Sequence, residues 1–260
     1  MDTLEYLQAL YNGLSGGALS VTAKVGASML TKWFSPDQLE QMALFAQKCG
    51  TKYNTYIGIN PRERPLGKNS RGQKEDVGWL VTLFADYDVK GSAHKETRLP
   101  ESREELLTFL NSLPIPISLA VDSGNGIHAY WLLKTPYRTD TDELRDKAET
   151  CLKGWERYIN GRAMQEHGWR FDAVCDLPRM LRAPGTTNFK TEEHPCCQVI
   201  YSSDARYDLA DFEPYSTVEE QSTATAVPLD SSDAFAMMGS GSAQELMDGC
   251  ERSEEHTSEL

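Results

Sequence analysis

An α+β fold, with helices flanking a mainly antiparallel sheet, is the class this sequence predicts. Three observations carry that expectation. Short apolar runs rich in β-forming residues recur along the chain, amphipathic segments begin with helix-capping residues, and a glycine-rich turn folds one apolar run back on the next.

Taken in order, residues 1–50 read as an N-terminal helical region. Asp2 to Tyr11 and Ser35 to Cys49 have helical patterning, and the second opens on Ser35-Pro36, a capping residue followed by proline at the first helical position, and closes on Gly50. Strands are predicted at Tyr53 to Asn60, Trp79 to Tyr87, Ile117 to Val121, Ile127 to Leu133 and Gln198 to Tyr201. Between the first of these and the second, Lys52 to Lys74 is a basic stretch with Arg62, Arg64, Lys68 and Arg71. Ser102 with Glu105 forms a capping box for a helix toward Leu113, and Thr139 to Asn160 has the period and charge of a long amphipathic helix. Trp33, Trp79, Trp131, Trp155 and Trp169 are expected in packing rather than as base-stacking platforms.

From Tyr215 onward the composition shifts to Ser, Thr, Ala and acids. Residues 51–213 are therefore read as the core domain and 214–251 as an acidic flexible linker, with Ala243 to Asp248 as the possible start of a further helix. The last nine residues, Arg252 to Leu260, match the translation of a sequencing-library adapter. They are expected to be foreign to the natural protein, which would then be truncated near Glu251.

The formal net charge of −13 is unevenly spread. Residues 1–200 hold 24 Lys and Arg against 25 Asp and Glu, whereas residues 201–260 hold 2 against 14. The near-neutral core is compatible with a phosphate-rich ligand. No apolar run of eighteen residues occurs, so no membrane partner is expected, and the N-terminus lacks the basic and then apolar pattern of a secretory signal. The six cysteines include no C-x-x-C pair, which fits a reducing cytoplasm, and His194-Pro195-Cys196-Cys197 lacks the second ligand pair a zinc site needs.

Three segments carry chemistry. Asp86 and Asp88 end the strand Trp79 to Tyr87, and alternation puts both carboxylates on one face with Cα atoms about 6 to 7 Å apart. Such a pair can hold Mg²⁺ or Mn²⁺ and leave coordination positions for substrate phosphates. In the second segment, Ser123-Gly124-Asn125-Gly126-Ile127-His128, the hairpin turn sets His128 at the start of the return strand, within reach of a phosphate oxygen. The third runs from Asp172 through Asp176, Arg179 and Arg182 to Asn188 and Lys190. Between Pro178 and Lys190 it carries three cations and no acid, and Pro184-Gly185 breaks it with a turn. Arginine forks suit phosphate.

The order D-x-D, S-G-x-G-x-H-x-Y-W, then an aspartate before R-x-x-R-x-P-G-T-x-N-x-K, resembles the catalytic core of the archaeo-eukaryotic primase superfamily. The resemblance is to the primase-polymerase domains of phages, prophages and plasmids, and it covers roughly Tyr53 to Tyr201. It implies an RRM-like catalytic core that joins nucleoside triphosphates on a single-stranded DNA template. It also implies Asp86, Asp88 and Asp172 as catalytic carboxylates and metal ligands, with Asp176 a rival for the third position. His128, Ser123, Arg179, Arg182, Asn188 and Lys190 are the implied nucleotide-binding residues. Relatives often carry a helicase motor beyond this domain. No G-x-x-x-x-G-K-[ST] motif occurs here, and a helicase domain lost by truncation is the corresponding expectation. Two readings from other classes stay open: a non-catalytic single-strand-binding replication-initiation module, and a metal-dependent nuclease using the same carboxylates. A rolling-circle initiator is disfavoured because no His-x-His pair appears.

Overall fold

A computed structural model of the chain describes residues 1–91, 96 and 98–216. Among them, eight strands form two four-stranded sheets, and every strand pairing within the sheets is antiparallel. The element order is α1 (Thr3–Leu10), β1 (Leu19–Val25), β2 (Ser28–Phe34), α2 (Leu39–Gly50), β3 (Asn54–Gly58), β4 (Trp79–Asp88), α3 (Arg103–Asn111), β5 (Leu119–Asp122), β6 (Gly126–Arg138), α4 (Asp142–His167), β7 (Met180–Arg182), β8 (Gln198–Ser202) and α5 (Glu213–Ser216). The first sheet runs β2-β1-β3-β7 and the second β4-β6-β5-β8. The α+β class with antiparallel sheets and flanking helices is thus the one observed. The acidic stretch from 217 on, with the segment 243–248 and the nine terminal residues, lies outside the described residues.

The five expected strands are all present, and β6 continues past Leu133 to Arg138. Sequence patterning predicts helix alone for residues 1–50, but the β1–β2 hairpin stands between α1 and α2. The reason lies in polar residues that are buried. Thr22 and Thr31 face each other across the hairpin, both buried, with their hydroxyls 2.9 Å apart. Each satisfies the other, so the strands bury polar positions that a hydropathy pattern reads as exposed. Helix α2 starts at Leu39 rather than at Ser35, because Ser35 and Gln38 form a turn in which the Ser35 N–H donates to Gln38 Oε1 at 3.0 Å. In α3, Ser102 Oγ accepts the Glu105 N–H as the capping pattern predicts, but the Glu105 carboxylate reaches the N–H of Glu101 instead of completing the box. Helix α4 extends beyond Asn160 to His167.

The second sheet has two unlike faces, set by strand alternation. Leu83, Ala85 and Tyr87 of β4 share one face with Trp131, Ala129 and Ile127 of β6. This face lies under the helices. The ring of Trp131 meets that of Trp155 in α4 edge-on, with centroids 5.4 Å apart, and its indole N–H donates to Ile115 O at 2.9 Å. Both indoles are fully buried, and an edge-to-face pair contributes about 0.5–1.5 kcal/mol beyond the area it covers. Trp79 and Trp169 are buried as well, and Trp33 is half-buried. The opposite face carries Phe84, Asp86 and Asp88 with Tyr130 and His128. Helix α1 covers its apolar end through Tyr6, whose ring lies 5.8 Å from that of Tyr130. The polar end is left open.

In the first sheet, Phe34 packs against Phe45 of α2 at 5.8 Å, so the face with Leu19, Val21, Ile57 and Leu181 turns toward the helix. Tyr56 and Arg182 occupy the other face, directly opposite each other in the β3–β7 register.

Candidate active site

At the end of β4 and the start of β6, Asp86 stands opposite His128, and Asp88 stands opposite Gly126. The strands can close here only because position 126 lacks a side chain: a Cβ on Gly126 would come within 2.1 Å of Tyr87 O. The turn between β5 and β6 is held from several sides. Gly124, at φ +94°, donates its N–H to Asp122 Oδ1 at 2.8 Å. Arg103 at the start of α3 pairs with Asp122 at 2.7 Å and donates to Gly124 O at 2.8 Å. The Val89 N–H donates to Asn125 O at 3.1 Å, which ties the turn to the residue after the carboxylates.

A cleft of about 250 Å³ opens over these residues. Asp86, Asp88 and His128 line one wall, Ser123 and Asn125 the turn, and Tyr56, Arg179, Arg182, Asn188 and Lys190 the other side. The structure therefore gathers eight of the expected site residues from three separate stretches of sequence. They divide by what their side chains are doing.

Ser123 and Asn188 are buried and committed to the scaffold. Ser123 Oγ donates to Gly126 O at 3.2 Å, while Asn188 Nδ2 donates to Ser123 O at 2.8 Å and Asn188 Oδ1 accepts the Lys190 N–H at 2.9 Å. These bonds tie the loop after β7 to the hairpin turn. Arg179 is ion-paired, its Nε 2.7 Å from Asp176 Oδ1. Arg182 and Lys190 have no carboxylate partner among the described residues. Their positive charge faces the cleft uncompensated.

His128 is 3 % exposed, and among the described residues its Nδ1 has no hydrogen-bond partner. Burial lowers its pKa below the ordinary histidine value, and Arg182 adds to that lowering while Asp86 opposes it. The imidazole is accordingly neutral near pH 7, so the 3.6 Å between its Nε2 and Asp86 Oδ1 is not an ion pair there. A neutral ring can still donate one N–H to a phosphate oxygen.

The third carboxylate is not in this group. Asp172 is exposed in the irregular stretch after α4 and does not line the cleft. Asp176 lies between two arginines, paired with Arg179 and, at 3.8 Å, with Arg71. Among the described residues no three His, Cys, Asp or Glu side chains converge as a metal site. The donors present on the cleft wall are two neighbouring carboxylates. Mg²⁺ is commonly held by one or two carboxylates with substrate phosphates and water completing the octahedron, and Asp86 with Asp88 fits that mode.

Sequence reasoning missed the residues that fix the irregular stretch before β7. Glu156, buried in α4, accepts the N–H groups of Val174 at 2.8 Å and Cys175 at 3.0 Å. Cys175 Sγ reaches Phe84 O at 2.9 Å, two residues before Asp86. Asn60 Nδ2 donates to Leu177 O at 3.2 Å, and the buried Arg62 donates to Pro178 O and Arg71 O, each at 2.8 Å. Burial lowers the Arg62 pKa to about 10, which leaves it charged near neutrality. Its position just after an apolar strand was the available signal, since a cation there either projects to solvent or anchors backbone carbonyls.

The fold is primase-like. Among solved structures, the chain is similar to the crystal structure of primase RepB′, with a TM-score of 0.50 and 11% identity over 98% of this chain and 65% of that one. The chain thus spans about 65% of the length of that structure. The catalytic domain of primase RepB′ in complex with initiator DNA aligns with a TM-score of 0.47 and 12% identity over 98% of each chain. No protein-family model matches the chain. No curated protein matches it either.

Proposed function

We propose that the chain is the primase-polymerase domain of a mobile-element replication protein, which adds nucleotides to a strand on a single-stranded DNA template with Mg²⁺ or Mn²⁺. One observation carries the reading. Two carboxylates, Asp86 and Asp88, share a cleft with a neutral buried histidine and with two cations, Arg182 and Lys190, that lack carboxylate partners among the described residues. Carboxylates facing uncompensated cations suit a ligand that is itself anionic and metal-bound, as a nucleoside triphosphate is.

In this reading Asp86 and Asp88 would hold a divalent ion, which when bound would lower the pKa of the attacking 3′-hydroxyl and neutralise the departing pyrophosphate. Arg182 and Lys190 bind the phosphate oxygens, and His128 donates an N–H to them. His128 and Arg182 are held in the folded chain by the β4–β6 and β3–β7 pairings and the Lys190 backbone is tied to Asn188, which limits the reorganisation needed when charge develops. Asp176 and Asp172 remain candidates for a further carboxylate. The first would have to leave Arg179, and the second would have to approach from an exposed position.

The deciding experiment is incorporation of labelled nucleotides on a primed and an unprimed single-stranded template with Mg²⁺ or Mn²⁺, comparing the wild-type chain with Asp86→Ala, Asp88→Ala. Metal-dependent extension that disappears in the variant supports the reading. A folded wild-type chain that binds single strands without extending them supports a binding module, and shortening of a preformed strand without added nucleotide supports a nuclease.

A further inference from the structure

Tyr56 lies across the cleft from the carboxylates and contacts one cation. In the β3–β7 register it is directly opposite Arg182. The Arg182 Nη1 donates to its phenol oxygen at 2.9 Å, and the guanidinium carbon lies 5.1 Å from its ring centroid. Both residues line the cleft. Three residues earlier in the chain, Arg179 has a different partner, the carboxylate of Asp176.

The difference matters chemically. A carboxylate orients an arginine and also neutralises it, so that an incoming phosphate must compete for the same N–H fork. A phenol orients the guanidinium by one hydrogen bond and by its ring face while leaving the positive charge intact. Holding a long, flexible side chain in advance also removes ordering entropy from the binding step.

We propose that Tyr56 is the positioning residue for nucleotide phosphate in this cleft: it fixes the Arg182 fork through a neutral acceptor and leaves the remaining guanidinium N–H groups for the phosphate oxygens of a nucleoside triphosphate. This rests on the primase-polymerase reading above. Arg179 has the separate task of holding Asp176.

The test uses the full chain and a fluorescent nucleoside triphosphate. Binding is measured by anisotropy, KM and kcat by extension, and template affinity with a labelled single-stranded oligonucleotide. Tyr56→Phe keeps the ring and removes the acceptor. It is expected to weaken nucleotide binding about 3- to 10-fold, the size of a partly solvent-compensated hydrogen bond to a charged group. The change should appear mainly in KM and leave template affinity unaltered. In an Arg182→Ala background the same substitution should have no further effect, since Tyr56 acts through that arginine. Nucleotide binding unchanged in Tyr56→Phe, or a loss that persists in the Arg182→Ala background, overturns the inference while the functional reading stands. A wild-type chain that neither binds nor incorporates nucleotide overturns both.

Discussion

Asp86 and His128 are directly paired across β4 and β6, yet their nearest polar atoms are 3.6 Å apart and the imidazole is held neutral by burial. The pair is therefore not a structural ion pair. His128 also leaves its Nδ1 without a hydrogen-bond partner among the described residues. A buried polar atom in that state costs about 1–3 kcal/mol of desolvation that nothing inside the fold returns.

That cost leads to a prediction. His128→Leu has comparable volume and no polar atom, so unfolding free energy should be unchanged within about 1 kcal/mol, or increased. Nucleotide incorporation should nevertheless fall at least about 10-fold, the size of one lost phosphate contact. Urea unfolding and extension assays on the same preparation check both parts. Parallel loss of stability and activity would instead assign His128 to the scaffold.

Asn188 presents the opposite case. It is fully buried, and its amide is bonded at both ends, to Ser123 O and to the Lys190 N–H. Asn188→Ala leaves the Lys190 N–H without its acceptor and Ser123 O with only the weak Cys197 thiol, and should lower stability by about 1–3 kcal/mol. Because the same bonds hold the Lys190 loop to the hairpin turn, the nucleotide KM should rise as well. Thermal unfolding with steady-state kinetics measures both. An unchanged melting temperature would show that water replaces the amide.

Gly126 is required by the approach of two strands. The 2.1 Å between a Cβ there and Tyr87 O cannot be relieved by a side-chain rotation, because the obstacle is backbone. Gly126→Ala should therefore destabilise the chain by about 1–3 kcal/mol. It should also shift Asp88, its partner in the ladder, and so reduce metal-dependent activity. Metal titration followed by extension would show the shift as a raised Mg²⁺ requirement.

How much of this was legible in the sequence depends on the range of the interactions that decide each feature. The β4 carboxylates and the turn at residues 123–126 are local patterns, and the structure places Asp86, Asp88 and His128 together as alternation and turn chemistry require. Strand β7 is only Met180–Arg182, and it exists because β3 pairs with it from far away in the chain, in the register Gly58–Met180, Ile57–Leu181 and Tyr56–Arg182. Nothing within those three residues announces it. The relation of Asp172 and Asp176 to the cleft was equally hidden, since the stretch carrying them is fixed by Asn60, Arg62 and Glu156 from elsewhere in the chain. The β1–β2 hairpin carries no hydropathy signature, because its buried threonines satisfy each other.

Thiol reactivity provides a check on the fold around the turn. Cys196 is exposed and Cys197 is buried with its Sγ 3.5 Å from Ser123 O. Burial pushes the Cys197 thiol up to about 12, so at pH 8 the thiolate that reacts with alkylating reagents is scarce there. Cys175, buried against Phe84 O, is shifted upward for the same reason. Brief treatment of the native chain with iodoacetamide at pH 8, followed by peptide mass spectrometry, should label Cys196 and spare Cys197 and Cys175. In Asn188→Ala, where the loop loses its attachment to Ser123, Cys197 should become labelled at a rate approaching that of Cys196, while Cys175, held from β4 and α4, stays protected. Equal labelling of the two neighbours in the wild-type chain would mean that the loop is not seated on the turn, and the cleft wall formed by Asn188 and Lys190 would have to be redrawn.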